Sequence, residues 1–171
     1  MAVSLNSSVP FAKLAPPLRS IVRAVLAGEG RRAGEIAIVL AGDGELRELN
    51  RRWRGIDRAT DVISFAYDEH EPDAGTRPVA GDLVISLDRV GAQAKRFRVT
   101  AGTELARLVV HGVLHLCGHD HARPGERKLM RAREEQALRG VRALAKRLDA
   151  AWPGENPAAR RPARDAARRT R

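Results

Sequence analysis

Aromatic side chains are scarce in this 171-residue chain: two Trp, one Tyr and three Phe, 4% of the total. Its core must therefore be assembled from Leu, Val, Ile and Ala. Cys117 stands alone, which excludes an internal disulfide and agrees with a reducing compartment. No run approaches the ~20 apolar residues of a membrane span. The opening M-A-V-S-L-N-S-S-V-P lacks the basic and then apolar regions of a secretion signal, so a cytoplasmic location without membrane attachment is expected. Acidic residues are also in deficit, 21 against 31 Lys and Arg, giving a net charge of +10. That balance favours an anionic partner, nucleic acid first. The length suits one domain.

What the chain does have is histidine in one place. Four of its five histidines fall in H-G-V-L-H-L-C-G-H-D-H, His111 to His121. His111 and His115 are four apart, which stacks both imidazoles on one face of a helix. Had the helix run on to His119, the column would be about 12 Å long, too long for one ion. The chain must turn, and Gly118 permits the left-handed conformation that ends a helix. After the turn either His119 or His121 could reach back. The spacing H-x3-H-x2-G-x2-H is that of the metzincin zinc site, with Gly112 where metalloproteases carry their glutamate base. Three neutral imidazoles leave zinc an open position for water, whose pKa such an ion lowers toward about 7. Closure of the tetrahedron by Cys117 or His119 is the competing arrangement.

These residues resemble the signature of the YbeY family, bacterial metal-dependent endoribonucleases of ribosomal RNA maturation. Residues 49–65, L-N-R-R-W-R-G-I-D-R-A-T-D-V-I-S-F, are similar to the family's L-N-x-x-Y-R-G-x-D-x-x-T-[DN]-V-L-S-F. Residues 81–86, G-D-L-V-I-S, are similar to its G-D-I-x-I-S strand. The resemblance implies metal ligands His111, His115 and His121, one zinc ion per chain, and Arg54 as the phosphate-binding and catalytic arginine beside catalytic His111. A guanidinium fork suits that role. It also implies a single-stranded RNA substrate, ribosomal RNA above all, with the ribosome or small-subunit proteins as partners. His119 becomes a flanking group, and Asp82 and Asp120 are candidates to orient a ligand histidine. A zinc peptidase-like hydrolase is the alternative, and so is an RNA-binding ribosome assembly factor with little turnover. Gly112 and the positive charge weigh against the peptidase.

The pattern along the chain predicts an α+β fold: a small mixed sheet of about four strands packed with about five helices around a metzincin-like three-histidine site. Strands are expected at 2–6, 36–40, 61–67 and 82–87. Ile63, Phe65 and Tyr67 share one face of the third. Helices are expected from Pro16 to Gly28, from a cap at Asp43 to about Arg52, at 88–97, at 103–117 opening on Thr103, and at 125–149. The helix between the second and third strands suggests that those two pair in parallel. The polar loop 68–80, which holds His70, allows an antiparallel neighbour. Residues 1–152 form the expected endoribonuclease domain. Residues 153–171 carry six Arg against Glu155 and Asp165 and almost no large apolar side chain, the composition of a disordered basic tail.

Deleting residues 153–171 should therefore leave the melting temperature nearly unchanged. It should weaken RNA binding at low salt and flatten the salt dependence, because arginine–phosphate contacts are lost. Calorimetry and a salt titration of RNA affinity check both halves.

Overall fold

The computed structural model describes residues 2–7, 12–67 and 78–153. His70 and all of the expected tail except Pro153 lie outside the described residues. In chain order the elements are β1 (Ala2–Ser7), a 3-10 turn (Ala12–Leu14), α1 (Ala15–Gly28), β2 (Ala33–Ala41), α2 (Asp43–Arg54), β3 (Val62–Ala66) and β4 (Val79–Ser86). Then come α3 (Leu87–Phe97), α4 (Ala101–Leu116), α5 (Pro124–Gly140) and α6 (Arg142–Ala151).

One mixed sheet runs in the order β1-β2-β4-β3. β1 and β4 flank β2 in parallel, and β3 closes the far edge antiparallel to β4. This corrects the expected parallel pairing of the second and third strands. β4 inserts between them, and the segment before it lets β3 and β4 run antiparallel. Alternation along β4 splits the core in two: Leu83 and Ile85 face the large core with α1, α4 and α6, whereas Val84 joins Ile63 and Leu46 of α2 on the other face. The sheet is covered on both faces, and β3 is one of its two edge strands, β1 being the other. Ile63 of β3 is buried and Phe65 half-buried, but Tyr67 lies beyond the strand and is exposed.

α4 is apolar almost all round. Its expected stripe of Leu105, Leu108, Val109, Gly112, Val113 and Leu116 is buried, and so are Ala106, Val110 and Leu114. Small residues let it approach the sheet closely. A Cβ on Gly112 would come within 2.7 Å of Leu83 Cδ2, and one on Gly81 within 2.8 Å of Leu116 Cδ2.

Three helix boundaries differ from the sequence pattern. The N-cap of α2 is Gly42, and Asp43 sits inside the first turn, where its carboxylate accepts from Ser86 Oγ and Arg89 Nε. The N-cap of α4 is Thr100, whose hydroxyl accepts from the Thr103 N–H. The expected last helix breaks at Gly140–Val141 into α5 and α6, so there are six α-helices among the described residues. Glycine weakens the helix there, and the bend buries Val141 and returns α6 against α4. Asp149 of α6 then accepts from the Gly102 N–H and the Thr100 hydroxyl. A carboxylate from a neighbouring helix thus caps one free N–H at the start of α4, that of Gly102.

That crossing leaves no room at Gly102, where a Cβ would lie within 2.5 Å of Asp149 N and 2.7 Å of Ala145 O. Gly102→Ala should therefore cost on the order of 1–3 kcal/mol by overpacking. Gly28→Ala, with nothing within 4 Å of its Cβ, should cost nothing. Chemical denaturation of both variants checks the contrast.

Candidate metal centre

The site is built at the C-terminal end of α4. Burial of three sides of that helix leaves His111 and His115 half-buried on the fourth. The helix ends in a Schellman turn: the His119 N–H donates to Leu114 O (3.1 Å) and the Gly118 N–H to His115 O (2.9 Å). Gly118 sits at φ +91°, the left-handed conformation that this turn requires. The reversal brings His121 beside the two helical histidines. One donor nitrogen from each of His111, His115 and His121 lies within 4.8 Å of the other two. His111 Nε2 and His115 Nε2 are 3.2 Å apart.

The two candidates left open by spacing are separated by the fold. His119 turns away, and its Nε2 meets Glu29 Oε2 at 2.7 Å at the end of α1. Cys117 packs against the large core, and burial pushes its thiol up to about 11. Neither is part of the cluster.

The donor chemistry fits a metal ion. Glu134 of α5 is hydrogen-bonded to His111 Nδ1, so that nitrogen carries the proton and Nε2 presents a lone pair to the cluster. Burial pushes His115 down to about 4, and the neighbouring His111 and His121 add to the effect. His115 is therefore neutral at physiological pH. Burial would raise Glu134, but the hydrogen bond from His111 and the nearby Arg107 guanidinium hold it below the usual glutamate range. Three converging imidazoles, one backed by a carboxylate, form the donor set that late first-row divalent ions take.

Glu134 went unrecognised in the sequence. It lies 23 residues from His111, and only the packing of α5 beside α4 brings the two together. Asp82, expected as a candidate to orient a ligand histidine, has its Oδ1 accepting from the Tyr67 hydroxyl at 2.7 Å. As a β4 residue opposite Phe65, it is held by the sheet register to a different neighbour. Asp120 stays in the turn, where its carboxylate accepts from the His121 N–H at 2.6 Å. That bond holds it below the usual carboxylate range.

The 49–65 block folds as the opposite wall. Asn50, buried on α2, donates to Arg58 O, and Gly55 at φ +69° ends the helix just after Arg54. Asp57 pairs with Arg47, away from the histidines. The segment then enters β3. The result is a cavity of about 970 Å³ between the histidine cluster and Arg54, Thr60, Asp61 and Ser64. Asp61 accepts from the Val62 N–H and Gln93 Nε2 and lies 3.7 Å from Arg107. Arg107 is itself tied to buried Glu104 at 2.7 Å. No ion pair of Arg54 occurs among the described residues, and its side chain is exposed at the cavity.

The family model for endoribonuclease YbeY matches residues 6–142. An endoribonuclease YbeY of Anaeromyxobacter sp. is 44% identical over 140 residues, 81% of this chain and 71% of that protein. One from Myxococcus xanthus is 49% identical over 119 residues, 68% of this chain and 40% of that protein. The chain is also similar to the solution structure of a Thermotoga maritima protein, with a TM-score of 0.64 and 25% identity over 91% of this chain and all of that one.

Glu134→Gln should weaken metal affinity by about 10–100-fold, the usual cost of losing a carboxylate behind a ligand histidine. His121→Ala should abolish stoichiometric metal, and His119→Ala should retain it. Elemental analysis and a competition titration with a chelating dye read all three.

Proposed function

Because this chain belongs to the endoribonuclease YbeY family, we propose that it is a metal-dependent endoribonuclease that cuts single-stranded RNA, ribosomal RNA in particular. The observation that carries the reading is one cavity with two opposed walls: three converging imidazole nitrogens on one side and the exposed Arg54 on the other. His111, His115 and His121 would hold the ion, one per chain, with zinc favoured by an all-imidazole set. When bound, it would supply Lewis-acid polarisation and acidify water at its open position.

The chain's own residues do the rest. Arg54 offers a planar fork to a non-bridging phosphate oxygen. Glu134 keeps the proton on His111 Nδ1. Among the described residues lining the cavity, Asp61 and Asp120 are the carboxylates. The His121 N–H holds Asp120 below the usual carboxylate range, and Asp61 is held in place by the Val62 N–H and Gln93 Nε2, so both face the cavity as oriented carboxylates. The net charge of +10 favours a polyanionic substrate.

The peptidase alternative is disfavoured by a packing fact. Position 112, where zinc peptidases carry their glutamate, is pressed onto Leu83 in the core. A carboxylate there would have to displace the sheet packing. Among the described residues no helix is long and apolar enough to cross a membrane. A cytoplasmic protein of residues 1–152 with a basic tail, working on ribosomal RNA beside small-subunit proteins, is consistent with the charge and the family.

Arg54→Ala should retain the metal and the melting temperature while lowering RNA cleavage by roughly 10²–10³, as for loss of one charge-assisted transition-state contact. Arg54→Lys should recover only part, because an ammonium lacks the fork. Single-turnover cleavage of a single-stranded RNA, with metal measured on the same samples, tests this. Wild-type rates in Arg54→Ala would refute the role, and an inert wild-type protein with full metal would favour the assembly-factor reading.

A further inference from the structure

The chain has six aromatic residues, and two of them, Trp53 and Phe65, are in ring contact on the α2 side of β3. Trp53, in the last turn of α2, packs edge-to-face on Phe65 of β3, with ring centroids 5.8 Å apart. Phe65 sits directly opposite Asp82, which holds the hydroxyl of Tyr67. Trp53 nonetheless remains 61% exposed. An indole this open to water contributes little to the core, yet its ring is fixed by Phe65. The guanidinium of Arg52 lies 5.6 Å from its centroid. No ion pair of Arg52 or Arg54 occurs among the described residues, whereas Arg47 and Arg51 are taken by Asp57 and Glu48.

The position matters as much as the exposure. Arg54 follows Trp53 in sequence and lines the cavity, and Ser64 precedes Phe65 and lines it too. Both neighbouring pairs therefore place one member in the cavity and the other in the aromatic patch. The two surfaces lie one residue step apart across β3, an edge strand.

We propose that Trp53, backed by Phe65, is a base-stacking platform for the nucleotide adjoining the phosphate held at Arg54. Every base has a flat face, so such a platform selects unpaired RNA without reading sequence. It also gives the single-strand preference a physical origin: a base inside a duplex cannot leave its stack to reach the indole. Arg52 completes the platform with a charge for the neighbouring phosphate. This inference rests on the endoribonuclease reading and adds a positioning residue to it.

The test uses full-length protein loaded with metal. Trp53→Ala should raise KM for a single-stranded RNA by roughly five- to a hundredfold, the usual worth of one stacked base. kcat, metal content and melting temperature should stay close to wild type. Trp53→Tyr should restore most of the affinity, since it keeps a flat ring. In a Trp152→Phe background, Trp53 is the single indole, and its emission should be quenched on titration with oligouridylate. Unchanged KM in Trp53→Ala, or an emission that RNA does not move, would overturn the platform and leave the patch as a protein-docking surface. Were the wild type itself unable to cleave RNA, the endoribonuclease reading would fail, and the quenching titration alone would decide whether Trp53 stacks on bases.

Discussion

Three imidazoles with their lone pairs turned toward one point repel one another unless a cation joins them, so the backbone has to enforce the approach. Here the enforcement is the Schellman turn at Gly118. It stops α4, satisfies the carbonyls of Leu114 and His115, and reverses the chain by the length that brings His121 level with His111 and His115. The turn works only if α4 is itself immobile. The helix meets that condition by burying every face but the histidine one and by having its Gly102 N–H capped by Asp149 of α6.

The packing of α4 also decides the chemistry available. Close approach to the sheet requires glycine at 81 and 112. The second of these removes the peptidase glutamate from the reach of the histidines and fills its place with the Leu83 contact. A base, if the reaction uses one from the protein, then has to come from elsewhere on the cavity wall. Asp61 is delivered there by edge strand β3 and braced by an Arg107–Glu104 pair that extends into the interior. The same edge strand separates the cavity from the aromatic patch. A substrate lying across it would meet positive charge, metal ligands and a flat indole within a few residues.

Much of this was legible in order along the chain. Histidine spacing with Gly118 marked the cluster. The buried stripe from Leu105 to Leu116 marked the helix, and the 49–65 block marked the arginine wall. All three are local: each depends on helical period, turn chemistry or a short segment whose residues stay near one another after folding. What escaped was non-local. Asp82 opens an expected strand and stood as a candidate to orient a histidine; the fold sets its carboxylate against the Tyr67 hydroxyl. Glu134 looked like one of several carboxylates on a polar helix, yet packing gives it to His111. Spacing alone left both His119 and His121 in reach and only the family resemblance favoured His121; in the fold Glu29, ninety residues away, takes His119.

The sequence by itself determined that this protein has one histidine cluster at a helix end, an α+β pattern around it and a positive charge suited to a polyanion, because those follow from composition and short-range geometry. Only the tertiary structure decided the strand order, the break at Gly140–Val141, the carboxylate behind His111 and the cavity that sets Arg54 against the histidines. Those depend on which distant segments share the space around α4, and close packing, rather than any local preference, selects them.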